Sequence, residues 1–311
     1  MARILDFVRR TAAPAPCHDA GLDGLIADFS IEVMPRTAAK VADFREILPP
    51  GTRVYLAHID GTDFAEMLAA ARRLAGEGFA VMPHFPARGI ASRAELESRI
   101  ASYTEAGIAQ ALVIAGGIDT PRGVYGEALQ LLRTGLFDDY GFTDLHVAGH
   151  PEGNRDIDPA GGDAVALAAL AAKAAFQSET DARMAITTQF CFETAPVVAW
   201  ADRLASAGIT LPVHLGVAGP AKLQTLIRYA MTCGVGPSLR VLQRRAADLA
   251  KLMVPFEPTE LLAELAAHKA RNPSFPVERI HFFPLGGIGA TTDYTGAITA
   301  RPQNRSAKAR A

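Results

Sequence analysis

A chain of 311 residues, 49% hydrophobic and 21% charged, can build a sizeable core, which excludes global disorder. A formal net charge of −2 leaves no broad basic field, which excludes general nucleic-acid or anionic-membrane binding. The cysteines, Cys17, Cys191 and Cys233, form no CxxC pair, so neither a disulfide framework nor a zinc cluster is indicated.

The opening "MARILDFVRRTAAPAP" lacks the apolar run of a secretory leader. Strand-like runs then follow in order: "ADFSIEVMP", "TRVYLAHI", "FAVMPHFPA", "AQALVIAGG", "DLHVAGHPE", "RMAITTQFCF", "LPVHLGVAG" and "RIHFFPLGG". Amphipathic patterns such as "DFAEMLAAARRLAGEG" and "SRAELESRIASYTEAG" lie between them. In the second, Ser92 with Glu95 three residues on is a capping-box signature. Gly78, Gly107 and Gly208 stand where a left-handed residue must end a helix before the next strand. The apolar pattern "DAVALAALAAKAAF" is too short for a membrane span and is interrupted by Lys173, so a soluble, cytoplasmic protein is expected.

Apolar strands in strict alternation with helices predict a parallel sheet covered on its faces. Eight such units predict a closed (β/α)₈ barrel, and no GxGxxG follows the first strand to suggest an open dinucleotide-binding sheet. The expected organisation is one catalytic domain over residues 1–300 and a frayed basic tail over 301–311. Extra helices are expected between strands seven and eight, at "SLRVLQRRAADLAKLM" and "PTELLAELAAHKARN".

Glu32 breaks the apolar pattern of the first strand, and an unpaired buried charge costs more than packing returns. In a barrel of this kind the strand C-termini carry the chemistry. That register gathers Glu32, His58, Asp60, His84, Asp119, His150, Glu152, Gln189, His214 and His281 at the mouth or below it. A metal hydrolase would want histidines on the first strand, which offers only Glu32, so no metal site is expected. Cys191 reads as a small buried hydrophobe and not as a nucleophile. A flat organic ligand over the strand ends fits better, with close approach allowed by the glycines of "AGGIDTPRG" and "LGVAGP". His214 and His281 also suit a layer of the barrel interior, His146 has no functional reading, and Trp200 reads as helix-to-barrel packing.

Six segments in order resemble the methylenetetrahydrofolate reductase family: "FSIEVMPRT", "VMPHFPARG", "VIAGGIDTP", "HVAGHPEGNRD", "AITTQFCFE" and "RIHFFPLGG". The resemblance implies a flavoprotein of one-carbon metabolism that interconverts 5,10-methylenetetrahydrofolate and 5-methyltetrahydrofolate with FAD. It makes Glu32 the general acid, its pKa raised by burial, and Gln189 a folate ligand. It places the flavin against His84, Gly116, Gly117, Asp119 and His150, with Lys173 reaching the cofactor's phosphates. Folate is then the small-molecule partner; NADH or NADPH as donor, and assembly into a homo-oligomer, stay open.

The departures from the family pattern are specific. Gly117 stands where the family has a flavin-proximal Asp, and Ala115 where it has Arg. His150 replaces a Tyr, Asn154 a His, and Pro220 stands near a missing stacking aromatic. Losing a negative charge beside the flavin's N1–C2=O edge raises its potential. The direction of 5-methyltetrahydrofolate oxidation is therefore open, as are a folate-binding methyltransferase-type barrel and a non-catalytic flavin- or folate-binding relative.

Overall fold

A computed structural model describes residues 20–233, 242–243 and 255–299. Eight parallel strands close into a barrel in chain order: β1 (Ser30–Val33), β2 (Arg53–Leu56), β3 (Ala80–Pro86), β4 (Gln110–Ile114), β5 (Asp144–Gly149), β6 (Arg183–Cys191), β7 (Val213–Ala218) and β8 (Val277–Phe283). The ring closes where Ser30 pairs with His281 and Ile31 with Phe282. The (β/α)₈ expectation holds. Both tail residues 301–311 and most of "SLRVLQRRAADLAKLM" lie outside the described residues.

Local signals act as their chemistry requires. The Ser92 hydroxyl accepts from the Glu95 N–H at 3.2 Å, and the Glu95 carboxylate reaches back to the Ala91 N–H at 2.8 Å. Gly78, Gly107 and Gly208 have φ of 91°, 75° and 70°, as left-handed helix ends.

Side-chain alternation along each strand divides the core in two. Outward residues such as Ile31, Val54, Phe85, Val147, Leu215 and Phe282 pack against Met67, Leu96, Trp200 and Leu262 of the helices. Trp200 is the packing residue expected. It sits over Gly149, where a Cβ would lie 2.4 Å from Ile186 Cγ2 and 3.2 Å from the indole.

The inward residues are unusually polar. At the N-terminal end Arg53 donates to Gln110 and Asp144 (3.0 and 3.3 Å), and Arg183 to Asp144 (3.0 Å). Above them the Tyr55 hydroxyl meets His146 Nδ1 at 2.7 Å, Thr187 Oγ1 at 3.0 Å and His214 Nδ1 at 3.4 Å. His146 and His214 thus have structural work inside the barrel. Tyr55→Phe leaves these buried partners short of one group and is expected to cost about 1–3 kcal/mol, read from the urea midpoint.

The β6–β7 register shifts between Thr187 and Phe190, a bulge that presents Gln189 at the mouth. Gly216 makes this possible: its N–H donates to Thr188 Oγ1 at 2.8 Å, and a Cβ there would lie 2.4 Å from the Thr188 carbonyl oxygen. Two backbones cannot yield as a side chain can. Gly216→Ala is expected to lose about 3 kcal/mol or more, the upper end of overpacking, visible as a lowered Tm.

The connection from β7 to β8 differs in detail from expectation. Helix Thr259–Arg271, anticipated as an addition, buries Leu261, Leu262 and Leu265 in the main core and packs against helices Ala20–Ile26 and Thr194–Ser206. It is the outer-ring helix of the seventh unit. Among the described residues the added helix is Leu223–Thr232, whose Leu223, Leu226 and Ala230 join Phe190, Phe192 and Phe256 in a second cluster beside the mouth. Sequence periodicity marks both as amphipathic but says nothing of which surface each covers. Among the described residues no helix is long and apolar enough to cross a membrane.

Candidate functional site

At the C-terminal ends of the strands a cavity of about 230 Å³ is walled by Met34, Ile59, Phe190, Tyr229, Phe283, Leu285 and Ile288. Glu32 and Gln189 are its polar groups of interest, with Cys233 between helix and mouth. The volume is below the roughly 300–1,000 Å³ of pockets that enclose a drug-sized ligand. It suits a ring system whose remainder extends outside.

Glu32 points inward from β1 and is met by two imidazoles. His84 Nε2, from β3, lies 3.4 Å from Glu32 Oε2, and His281 Nε2, from β8, lies 3.8 Å from the same oxygen. Among the described residues neither buried nitrogen has a partner at full hydrogen-bond geometry, so both are held for the carboxylate or for a bound molecule. The Glu32 side chain keeps 21% exposure while His281 has none, which leaves the carboxylate as the group that faces the cavity.

These neighbours overturn one expectation. Burial raises the Glu32 pKa, but the hydrogen-bonding His281 imidazole and the electrostatic pull of His84 and His281 outweigh it, and the net result lies below the ordinary 4.5. With these neighbours alone around it, Glu32 is therefore a carboxylate at neutral pH, not a neutral acid. His84 itself is pushed down to about 4, chiefly by burial against the opposing pull of Glu32. At neutral pH it is an uncharged imidazole able to donate one N–H.

Gln189 turns its side-chain oxygen back to accept from the Phe190 N–H at 3.0 Å, which leaves the amide NH₂ as the donor available to a ligand. Cys191 is buried, its pKa is raised by burial, and its thiol donates to the Gly216 carbonyl at 3.4 Å. This agrees with the inert reading.

The remaining expected residues lie on the β3–β5 side of the mouth. Gly116 has φ of 94°, and a Cβ there would come 3.0 Å from Pro86 Cβ, so this turn requires glycine. Gly117 is exposed with open space around it, and Asp119 is exposed farther along the loop. Arg88 pins the loop, donating to the Ile118 and Gly126 carbonyls at 3.2 and 3.0 Å. His150 follows β5 in the inward register, its pKa lowered to about 4 by burial and by Lys173. Burial lowers Lys173 to about 8, with Glu127 opposing, so it stays largely cationic at neutral pH.

The structure thus joins Glu32, His84 and Gln189 around one mouth, brings His150 within electrostatic reach of Lys173, and leaves Asp119 outside both groups. Sequence reasoning gathered His281 at the mouth or in an interior layer without giving it a site role, and it missed Tyr229 and Cys233. Alternation in "RIHFF" puts His281 on the same face as Phe283, a signal that was present. Tyr229 and Cys233 carried no such signal, because they enter only through the path of helix Leu223–Thr232.

No family model matches the chain. Among solved structures, an uncharacterized protein from Clostridium thermocellum that binds two copies of 5-methyl-5,6,7,8-tetrahydrofolic acid is similar at TM-score 0.57 and 8% identity, over 90% of this chain and 98% of that one. Dihydropteroate synthase from Thermus thermophilus matches at TM-score 0.46 and 15% identity, over 90% and 96%. Phosphonopyruvate hydrolase matches at 0.47 and 14%, over 90% and 82%. At such identities the likeness establishes the barrel fold alone.

Proposed function

We propose that this chain is a flavin-dependent oxidoreductase interconverting 5,10-methylenetetrahydrofolate and 5-methyltetrahydrofolate, with Glu32 as the proton carrier at folate N10. The observation that carries the reading is Glu32 itself: a carboxylate between two buried imidazoles, facing an apolar cavity that also holds Gln189. Phe190, Tyr229 and Phe283 offer aromatic walls to a flat ring, and the Gln189 amide can donate to its polar edge. The folate bound by the Clostridium thermocellum barrel supports a pterin ligand for this architecture.

The β3–β5 side fits a flavin. The Nε2 of His84, 3.4 Å from Glu32 and not hydrogen-bonded to it, the tight Gly116 turn with open space at Gly117, and Lys173, whose charge acts on His150, supply a donor, close backbone approach and a cation for phosphate. Bound there, FAD would supply two-electron hydride chemistry at N5. The chain's own task is proton management. Opening the five-membered ring of methylenetetrahydrofolate needs a proton on N10, and closing it releases one. A resting carboxylate is ready to accept that proton, which supports the direction of 5-methyltetrahydrofolate oxidation. In the reductive direction a ring seated in the cavity shields Glu32 from water and raises its proton affinity.

The test is anaerobic mixing of FAD-loaded protein with NADH, NADPH and 5-methyltetrahydrofolate in turn while the flavin absorbance is followed. Bleaching by 5-methyltetrahydrofolate is expected, and either nicotinamide that also bleaches it identifies the donor. A chain that binds 5-methyltetrahydrofolate but never FAD is a folate-binding barrel without redox chemistry, and the proposal fails.

A further inference from the structure

Ser30 and Glu32 stand two residues apart on the inward face of β1, and the β1–β8 pairing sets Ser30 beside His281. Ser30 Oγ lies 3.0 Å from His281 Nδ1, and both side chains are wholly buried. The imidazole is wedged by rings on two sides, with the Tyr55 centroid at 4.3 Å and the Phe283 centroid at 4.8 Å. It cannot swing away, so Nε2 faces the Glu32 carboxylate, its one charged neighbour within 4 Å among the described residues.

We propose that Ser30 and His281 form a positioning pair for Glu32. The serine hydroxyl donates to Nδ1, which fixes the tautomer with Nε2–H toward Oε2, and this keeps the carboxylate anionic and aimed into the cavity. The opposite tautomer would set a lone pair against the carboxylate, an unfavourable contact in a buried site. A histidine whose second ring nitrogen is tied by a neighbour in this way has its donor direction set by that bond. The His281 N–H is therefore directed at Glu32 from 3.8 Å, an electrostatic approach longer than a hydrogen bond, while His84 approaches from β3 at 3.4 Å. Cys233 lines the same cavity, and its thiol is raised by burial and by the Glu32 charge, so it adds no competing anion.

The inference rests on Glu32 being the proton carrier, but its test does not depend on folate turnover. In the full chain, ¹⁵N spectra at pH 7.5 should show His281 as the Nε2–H tautomer, assigned by loss of the signal in His281→Phe. Ser30→Ala should mix the two tautomers. A ¹³C-carboxyl titration of Glu32, assigned with Glu32→Gln, should show no protonation before the fold is lost. In His281→Phe, which keeps the ring packing, proton affinity of Glu32 should rise at least about tenfold, into the folded range. His281→Gln retains a donor and should restore most of the parent behaviour. The Nδ1–H tautomer at pH 7.5, or an unchanged Glu32 titration in folded His281→Phe, overturns the proposal. If His281→Phe does not fold, Ser30→Ala is read by the same two spectra, and an unchanged tautomer overturns it. A chain with the expected spectra that never turns over folate keeps the pair and sinks only the functional reading.

Discussion

Glu32→Gln should lower folate turnover by about 10²–10⁴-fold, the usual contribution of a positioned acid–base group. Glutamine keeps the shape of the side chain and can still meet one imidazole, but it carries no proton that N10 can take or release. The loss should appear in both directions, because by microscopic reversibility the carboxylate that protonates N10 on ring opening receives the proton on closing. Reduction of bound FAD by a nicotinamide should change far less, since that half-reaction needs no proton on folate. Rapid mixing separates the two halves. Equal loss in both would assign Glu32 to flavin binding or to the fold, and parent-rate folate turnover would remove it from the chemistry. The fold should survive with at most a modest loss of stability, because glutamine keeps the packing but forfeits the attraction to His84 and His281 that lowers the Glu32 pKa.

Acid should unfold this protein cooperatively between about pH 6 and pH 4. The ordinary histidine value is 6.5, and burial depresses His84 and His150 to about 4, His214 to about 2 and His146 well below. The sign follows from linkage. These groups bind fewer protons folded than unfolded, so their contribution is complete above pH 6.5 and is lost as pH falls through the folded values. Glu32, also depressed, acts in the same sense below its ordinary 4.5. Near pH 5 unfolding takes up roughly three to four protons, a slope of about 4–5 kcal/mol per pH unit. A typical stability of ~5–15 kcal/mol is then exhausted within a few pH units. Urea midpoints at pH 7.5, 6 and 5 measure this directly. A flat response would mean that the buried imidazoles are already charged in the folded barrel.

Much of this molecule is legible in one dimension. The period-two apolar runs, the Ser92 cap and the left-handed glycines Gly78, Gly107 and Gly208 are local features with local causes, and they suffice for a (β/α)₈ barrel. The inward register of Glu32, His84 and Gln189 at strand C-termini is equally local. So is the inert character of Cys191, a lone thiol in an apolar strand.

What the tertiary structure alone decided is where long-range neighbours fall. The protonation state of Glu32 is the clearest case: burial by itself predicts a neutral acid, and only the approach of His84 from β3 and His281 from β8 reverses it. Those strands are distant in sequence, and electrostatic interactions act across space. Helix Leu223–Thr232 gives a second case, since its amphipathic pattern is the same whether it joins the outer ring or flanks the mouth. Its placement, which carries Tyr229 and Cys233 into the cavity, depends on the apolar surface left by Phe190, Phe192 and Phe256. The sequence by itself determined the barrel and its carboxylate. Only the fold decided which groups surround that carboxylate, because pairing across a closed sheet brings together residues that no local pattern relates.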